Sequence, residues 1–133
     1  MENTTAQEIY DSFESTFSDK QEIPELLELQ WLKMAISKYN TEIAIDETLI
    51  FDSTLLIFTN QLDQYIIDTL GRIMRTLYSE RYASKVNKVA SIVGKDLSVN
   101  SGMSLSKYAE NELKYHNDKM NEMIENQKPV AMS

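Results

Sequence analysis

Apolar residues recur at helical spacing over most of this chain. Ala6, Ile9, Tyr10, Phe13 and Phe17 fall three or four apart, which predicts a first helix over residues 6–17. Thr5-Ala6-Gln7-Glu8 at its start fits a capping box, with Thr5 as N-cap and Glu8 at the third helical position. Ser18-Asp19-Lys20 breaks the pattern. Pro24 suits the first turn of a second helix, whose apolar stripe is Leu27, Trp31, Met34, Ala35 and Tyr39. Trp31 lies inside that stripe and reads as a core anchor.

Residues 41–59 fit no single period. Ile43, Ile45, Leu49 and Phe51 alternate like a strand, and 54–58 is a short apolar run that periodicity cannot assign. The reading is a loop with either a short helix or an extended piece. Beyond it, Leu62, Ile66, Ile67, Leu70, Ile73, Met74 and Leu77 form a broad stripe. They predict the most buried helix of the chain, over residues 62–82, with Asn60 as its cap and Asp63 three residues on. Asp68 and Arg72, four apart on its polar side, predict an ion pair worth about 0.2–0.5 kcal/mol. Gly71 lies mid-helix, where glycine costs about 1 kcal/mol against alanine. A close approach by a neighbouring helix would account for it.

Val86, Val89, Ile92 and Val93 continue or restart that helix, which stops at Gly94. Asp96-Leu97-Ser98 and Asn100-Ser101-Gly102 read as turns, and Ser104 as the next N-cap. Leu105, Ala109, Leu113, His116, Met120 and Met123 then recur every three to four residues, the period of a helix. Lys128-Pro129 ends it, because proline cannot continue the hydrogen-bond ladder. Val130-Ala131-Met132-Ser133 follows as a short, nearly uncharged tail. The expected fold is all-α: a single small bundle of about four helices (residues 1–126), with a long C-terminal helix and a short extended tail (127–133).

Composition narrows this little. A length of 133 residues suits one domain, and only 3 Gly and 2 Pro suit helices with short connections. There are no cysteines, which excludes disulfides, thiolate metal sites and a cysteine nucleophile. The first residues lack the charged and apolar regions of a signal peptide, and runs such as Leu55-Leu56-Ile57-Phe58 are far too short to span a bilayer. A soluble, intracellularly made protein is expected.

Charge changes the picture more. The net charge is −8, unevenly placed. Residues 1–70 carry 14 acidic and 3 basic side chains, whereas residues 71–95 carry 6 basic and 1 acidic. A basic segment between acidic flanks can dock copies of the chain on one another; internal neutralisation on a solvated surface is the alternative. The residues expected to face an acidic surface of a neighbouring copy are Arg72, Arg75, Arg81, Lys85 and Lys88.

Candidate chemistry is sparse. His116 is the single histidine, on the apolar stripe of the last helix, and reads as a packed or interfacial residue. One histidine and no cysteine cannot make a His-based metal cluster. Asp46, Glu47 and Asp52 do not match an EF-hand loop. No phosphate-binding glycine motif is present. Tyr78 and Tyr82 interleave with Arg75, Arg81 and Lys85 in a manner that can bind nucleic acid. The sequence pI of about 4.6 argues against a direct binder of free DNA. No enzyme and no cofactor are expected.

The order of these features carries a resemblance. An apolar helix over 26–43 holds Trp31, Ala35-Ile36 and Tyr39, and a second over 58–82 holds Leu70 and Met74. Val86 and Val89 follow, then Gly94-Lys95-Asp96-Leu97, then Leu105-Ser106-Lys107-Tyr108-Ala109 and a long charged helix ending near Met123-Ile124. This resembles the small helical head–tail connector proteins of tailed bacteriophages of Gram-positive hosts, also called adaptor or head-completion proteins. The likeness covers residues 6–126 in layout and 70–124 in detail. It departs at Leu97, where the family often has Phe, and at Asn100-Ser101, where it often has Tyr-Ser.

The resemblance implies a structural virion protein, made in the host cytoplasm and located in the phage neck. It implies a ring, commonly of twelve copies, between the portal protein and the stopper or tail-completion protein. Genomic DNA would be only passing cargo, and no membrane would be involved. It also implies that Lys128, Pro129, Val130, Ala131 and Met132 dock on the portal. The competing reading is an acidic phage-encoded inhibitor that mimics nucleic acid, for which the negative charge of residues 1–70 would gather on one face.

Overall fold

The computed structural model describes residues 3–19, 21–44, 47–93 and 99–128, and their side chains except those of 89–93 and 99–105. The expected all-α bundle is what forms. Four helices, α1 (Ala6–Glu14), α2 (Glu25–Glu42), α3 (Gln64–Val93) and α4 (Val99–Gln127), surround a core centred on α3. α3 packs on all three others, most extensively on α4. One small hairpin, β1 (Phe51–Asp52) with β2 (Ile57–Phe58), fills the link from α2 to α3.

α1 starts where the capping box places it. The Glu8 carboxylate accepts the Thr5 backbone N–H at 2.8 Å, satisfying one donor that the helix itself leaves free. It ends at Glu14, three residues before Phe17. The Ser15 and Thr16 hydroxyls donate to the Ser12 and Phe13 carbonyls at 2.6 Å each, offering those groups a partner other than the next helical N–H. Phe17 still packs inward, edge-on to Phe13 and Tyr78, with ring centroids 5.3 and 4.8 Å apart. Trp31 is buried against Phe13 and Tyr78, so the core-anchor reading holds.

α2 buries Trp31, Leu32, Ala35, Ile36 and Tyr39. Met34 is not part of this face: it is 47% exposed, and Leu32 and Ile36 point into the core instead. The stretch after α2 resolves as the extended alternative. Asn40 clamps it by a reciprocal pair with Leu49, donating to its carbonyl at 3.0 Å and accepting its N–H at 2.7 Å. Asp52 Oδ1 then accepts the N–H groups of Thr54 and Leu55 at the hairpin turn. Leu56 closes the turn at φ 59°, a left-handed conformation that costs a non-glycine residue about 1–2 kcal/mol. Residues 4–6 lie along this hairpin. Ala6 N–H donates to the Leu56 carbonyl, Phe58 N–H to the Thr4 carbonyl, and Leu62 N–H to the buried Thr4 hydroxyl.

α3 runs unbroken through Val93. Its first backbone bond is accepted by Asp63, not by Asn60, whose carbonyl is turned to Thr4 N–H. Ile67, Leu70, Ile73 and Met74 are buried as expected. Gly71 meets α1: a Cβ there would lie 2.8 Å from Ser12 Oγ and 3.0 Å from the Phe13 backbone nitrogen. α4 begins at Val99, so Asn100-Ser101-Gly102 is helical rather than a turn, and Ser104 is interior rather than a cap. One glycine costs about 1 kcal/mol in a helix, a small penalty beside that of ending one helix and nucleating another. The expected turn at Asp96-Leu97-Ser98 lies outside the described residues.

Candidate functional site

The end of α4 is tied to the body by a polar knot the sequence does not advertise. Tyr39 donates to Gln127 Oε1 at 3.1 Å, and Gln127 Nε2 donates to Thr69 Oγ1 and to the Met123 carbonyl. Gln127 therefore belongs to the bundle. Lys128 N–H closes on the Ile124 carbonyl, and its ammonium pairs with Glu125 at 2.8 Å. Pro129, Val130, Ala131 and Met132 lie outside the described residues.

A second polar group sits between α3 and α4. Arg72 Nη1 lies 3.1 Å from His116 Nδ1, and His116 Nε2 lies 3.2 Å from Glu112 Oε2. A guanidinium can only donate, so Nδ1 accepts and the ring proton sits on Nε2, directed at Glu112. His116 is thereby held neutral. Burial, then Arg75 and Arg72, lower its pKa below the ordinary value, against the opposing pull of Glu112. The arrangement leaves it no lone pair for general-base work unless it releases Arg72. The expected Asp68–Arg72 pair is not made. Asp68 accepts instead from Ser12 and Gln64, each at 2.9 Å, and Arg72 turns to α4.

Arg75 is the most enclosed cation of the cluster, 8% exposed. Its guanidinium lies 4.1 Å above the Phe17 ring centre and 5.2 Å from that of Tyr78. It donates to Ser79 Oγ at 2.7 Å and lies 3.7 Å from Glu112. Burial pulls its pKa down, and Glu112 opposes that. Cation–π contact and the carboxylate together offset the desolvation of a charge that Nε, without a partner, does not recover. Above this group opens a cleft of about 560 Å³, walled by Phe17, Arg75, Glu112 and His116 and rimmed by Tyr78, Tyr82, Tyr108 and Tyr115.

Of the five cations assigned to a subunit interface, Arg72 and Arg75 are thus engaged within the chain. Arg81, Lys85 and Lys88 are exposed. They fall at i, i+4 and i+7, one face of α3, and among the described residues none has a carboxylate within salt-bridge distance.

A set of carboxylates that act on one another lies on α1 and α2. Asp11 and Glu14 on α1 and Glu25 on α2 are exposed, while Glu28 on α2 is 8% exposed with Oε2 unpartnered. Burial, then Glu14, Glu25 and Asp11, push the Glu28 pKa up to about 7. Tyr10 is also raised, first by burial and then by Glu28 and Glu25. Local sequence does not show this grouping, because it depends on how α1 and α2 pack. Among the described residues no three His, Asp or Glu side chains are placed to hold a metal ion, and no helix is long and apolar enough to cross a membrane.

Comparison of the chain with family models, with curated proteins and with solved structures gives no match.

Proposed function

We propose that this chain is a structural subunit that assembles with its own copies, of the head–tail connector type its sequence layout resembles. The observation that carries the reading is the separation of charge. Arg81, Lys85 and Lys88 form an exposed stripe without carboxylate partners among the described residues, and on α1 and α2 Asp11, Glu14 and Glu25 lie close enough to act on Glu28. Patches of opposite sign at different places on one chain favour head-to-tail contacts, which close into rings when the rotation allows. Half-buried Arg72 and buried Arg75 and His116 fit a structural role, since Arg72 meets His116, His116 meets Glu112, and Arg75 meets Ser79 and Glu112 within the chain. In this reading Lys128, Pro129, Val130, Ala131 and Met132 contact a portal protein, and a stopper lies on the opposite side in the phage neck.

The acidic group is also what a nucleic-acid mimic would display, and it supports the second reading, an inhibitor that binds a basic protein. Electron microscopy of the purified protein at low salt separates the two. Rings of uniform diameter are expected for the connector. Small single particles that bind a nucleic-acid enzyme would favour the inhibitor.

A further inference from the structure

We infer that the carboxylates Asp11, Glu14, Glu25 and Glu28 at the α1–α2 crossing receive Arg81, Lys85 and Lys88 of a second copy of this chain, and that docking expels a proton from Glu28. The inference rests on the assembly reading above and names the surface, the partner and the linked proton.

The structure motivates each half. Each helix carries two carboxylates three residues apart, Asp11, Glu14 and Glu25 lie close enough to act on Glu28, and Glu28 Oε2 is buried with no hydrogen-bond partner among the described residues. Burying such an atom costs free energy, and within one chain that cost has no visible return. The charged groups that act on Glu28 are Asp11 and Glu14 from α1 and Glu25 from α2, all of one sign, with the Tyr10 hydroxyl also nearby. No cation of the described residues lies within salt-bridge distance of any of the four. The stripe on α3 supplies three cations of the complementary sign along one exposed face.

Docking then has a predictable proton balance. In a free subunit burial, and then the carboxylates of Glu14, Glu25 and Asp11, hold the Glu28 pKa up at about 7, so part of the population keeps the proton near neutral pH. Arriving cations stabilise the ionised form, so Glu28 returns toward its ordinary value and releases its proton to solvent. Linkage makes association tighter as pH rises, by up to about tenfold per contact between pH 6 and pH 8. Added salt weakens it by screening exposed charges.

The test uses two reversed variants and one isosteric one, each checked for native helicity by circular dichroism. One carries Asp11→Lys, Glu14→Lys and Glu25→Lys, and the other Arg81→Glu, Lys85→Glu and Lys88→Glu. Each alone should lose self-association, and an equimolar mixture should regain it, since each patch then meets its opposite on the other variant. Glu28→Gln should associate with no pH dependence between 6 and 8, whereas the unaltered protein strengthens. If the unaltered protein assembles and a reversed variant assembles equally well, the contact is overturned while the connector reading stands on another interface. Loss in both variants without rescue on mixing also overturns it. A reversed variant that fails to fold leaves the Glu28→Gln arm decisive: an unchanged pH dependence there rejects the proton link and the surface with it. If the unaltered protein does not associate at all, the assembly reading itself fails.

Discussion

Gly71 on α3 and Ser12 on α1 approach so closely that a Cβ on the glycine would lie 2.8 Å from the serine oxygen. Alanine would gain about 1 kcal/mol of helix propensity at that position. It would also push on the Phe13 backbone nitrogen, 3.0 Å away, which cannot swing aside as a side chain can. Overpacking costs about 1–3 kcal/mol, so Gly71→Ala should be destabilising by roughly 1 kcal/mol net. Adding Ser12→Ala should recover only part of the loss. A gain in denaturant midpoint for Gly71→Ala would show that α1 does not sit on α3 in this way.

Leu70, one residue before, is fully buried at the centre of the core. Leu70→Ala should cost about 2–5 kcal/mol in urea unfolding. A loss below about half a kcal/mol would be far outside the range for a core leucine and would remove α3 from the centre of the bundle.

His116 ties stability to pH. Its folded pKa is lowered by burial, Arg75 and Arg72, so the unfolded chain takes up a proton that the folded chain refuses. The contribution is complete above the ordinary value near 6.5 and is lost as pH falls from there through the folded pKa. His116→Gln can still accept from Arg72 and donate to Glu112 without titrating. The stability difference between parent and variant should therefore shift against the parent between pH 7 and pH 5. A difference independent of pH would mean that His116 is solvated and free to protonate.

Glu28 works in the opposite direction. Its folded pKa is raised to about 7 from an ordinary 4.5, so the folded chain holds the extra proton and its relative stability falls as pH rises through that window. Glu28→Gln should stabilise the isolated subunit at pH 8 by on the order of 1–2 kcal/mol, allowing for solvent screening of the surrounding carboxylates. The advantage should shrink below pH 5. An equal effect at pH 8 and pH 4.5 would show that the charge on Glu28 is not the cause.

What could be read from the chain follows the range of the interaction. The Thr5–Glu8 cap, Trp31, the stripe from Ile67 to Met74 and the meaning of Gly71 all rest on spacings within a helix, and the structure keeps them. Met34 shares the spacing of the stripe yet is exposed, because α2 carries apolar side chains around much of its circumference and periodicity does not say which of them a neighbour covers. Asn100-Ser101-Gly102 has the local propensity of a turn, which the helix overrides. The charge run drew attention to Arg72 and Arg75, but their partners Glu112 and His116 lie some forty residues away. The Tyr39–Gln127–Thr69 knot and the acidic crossing of α1 and α2 are equally long-range and left no trace in local pattern.

Self-assembly is the claim on which the functional reading depends, and the mass of the purified protein in solution tests it most directly. Light scattering or native mass spectrometry at pH 8 and low salt should give a discrete multiple of the 15.4 kDa chain that dissociates as salt is raised. A mass of 15.4 kDa at every concentration and salt would contradict it.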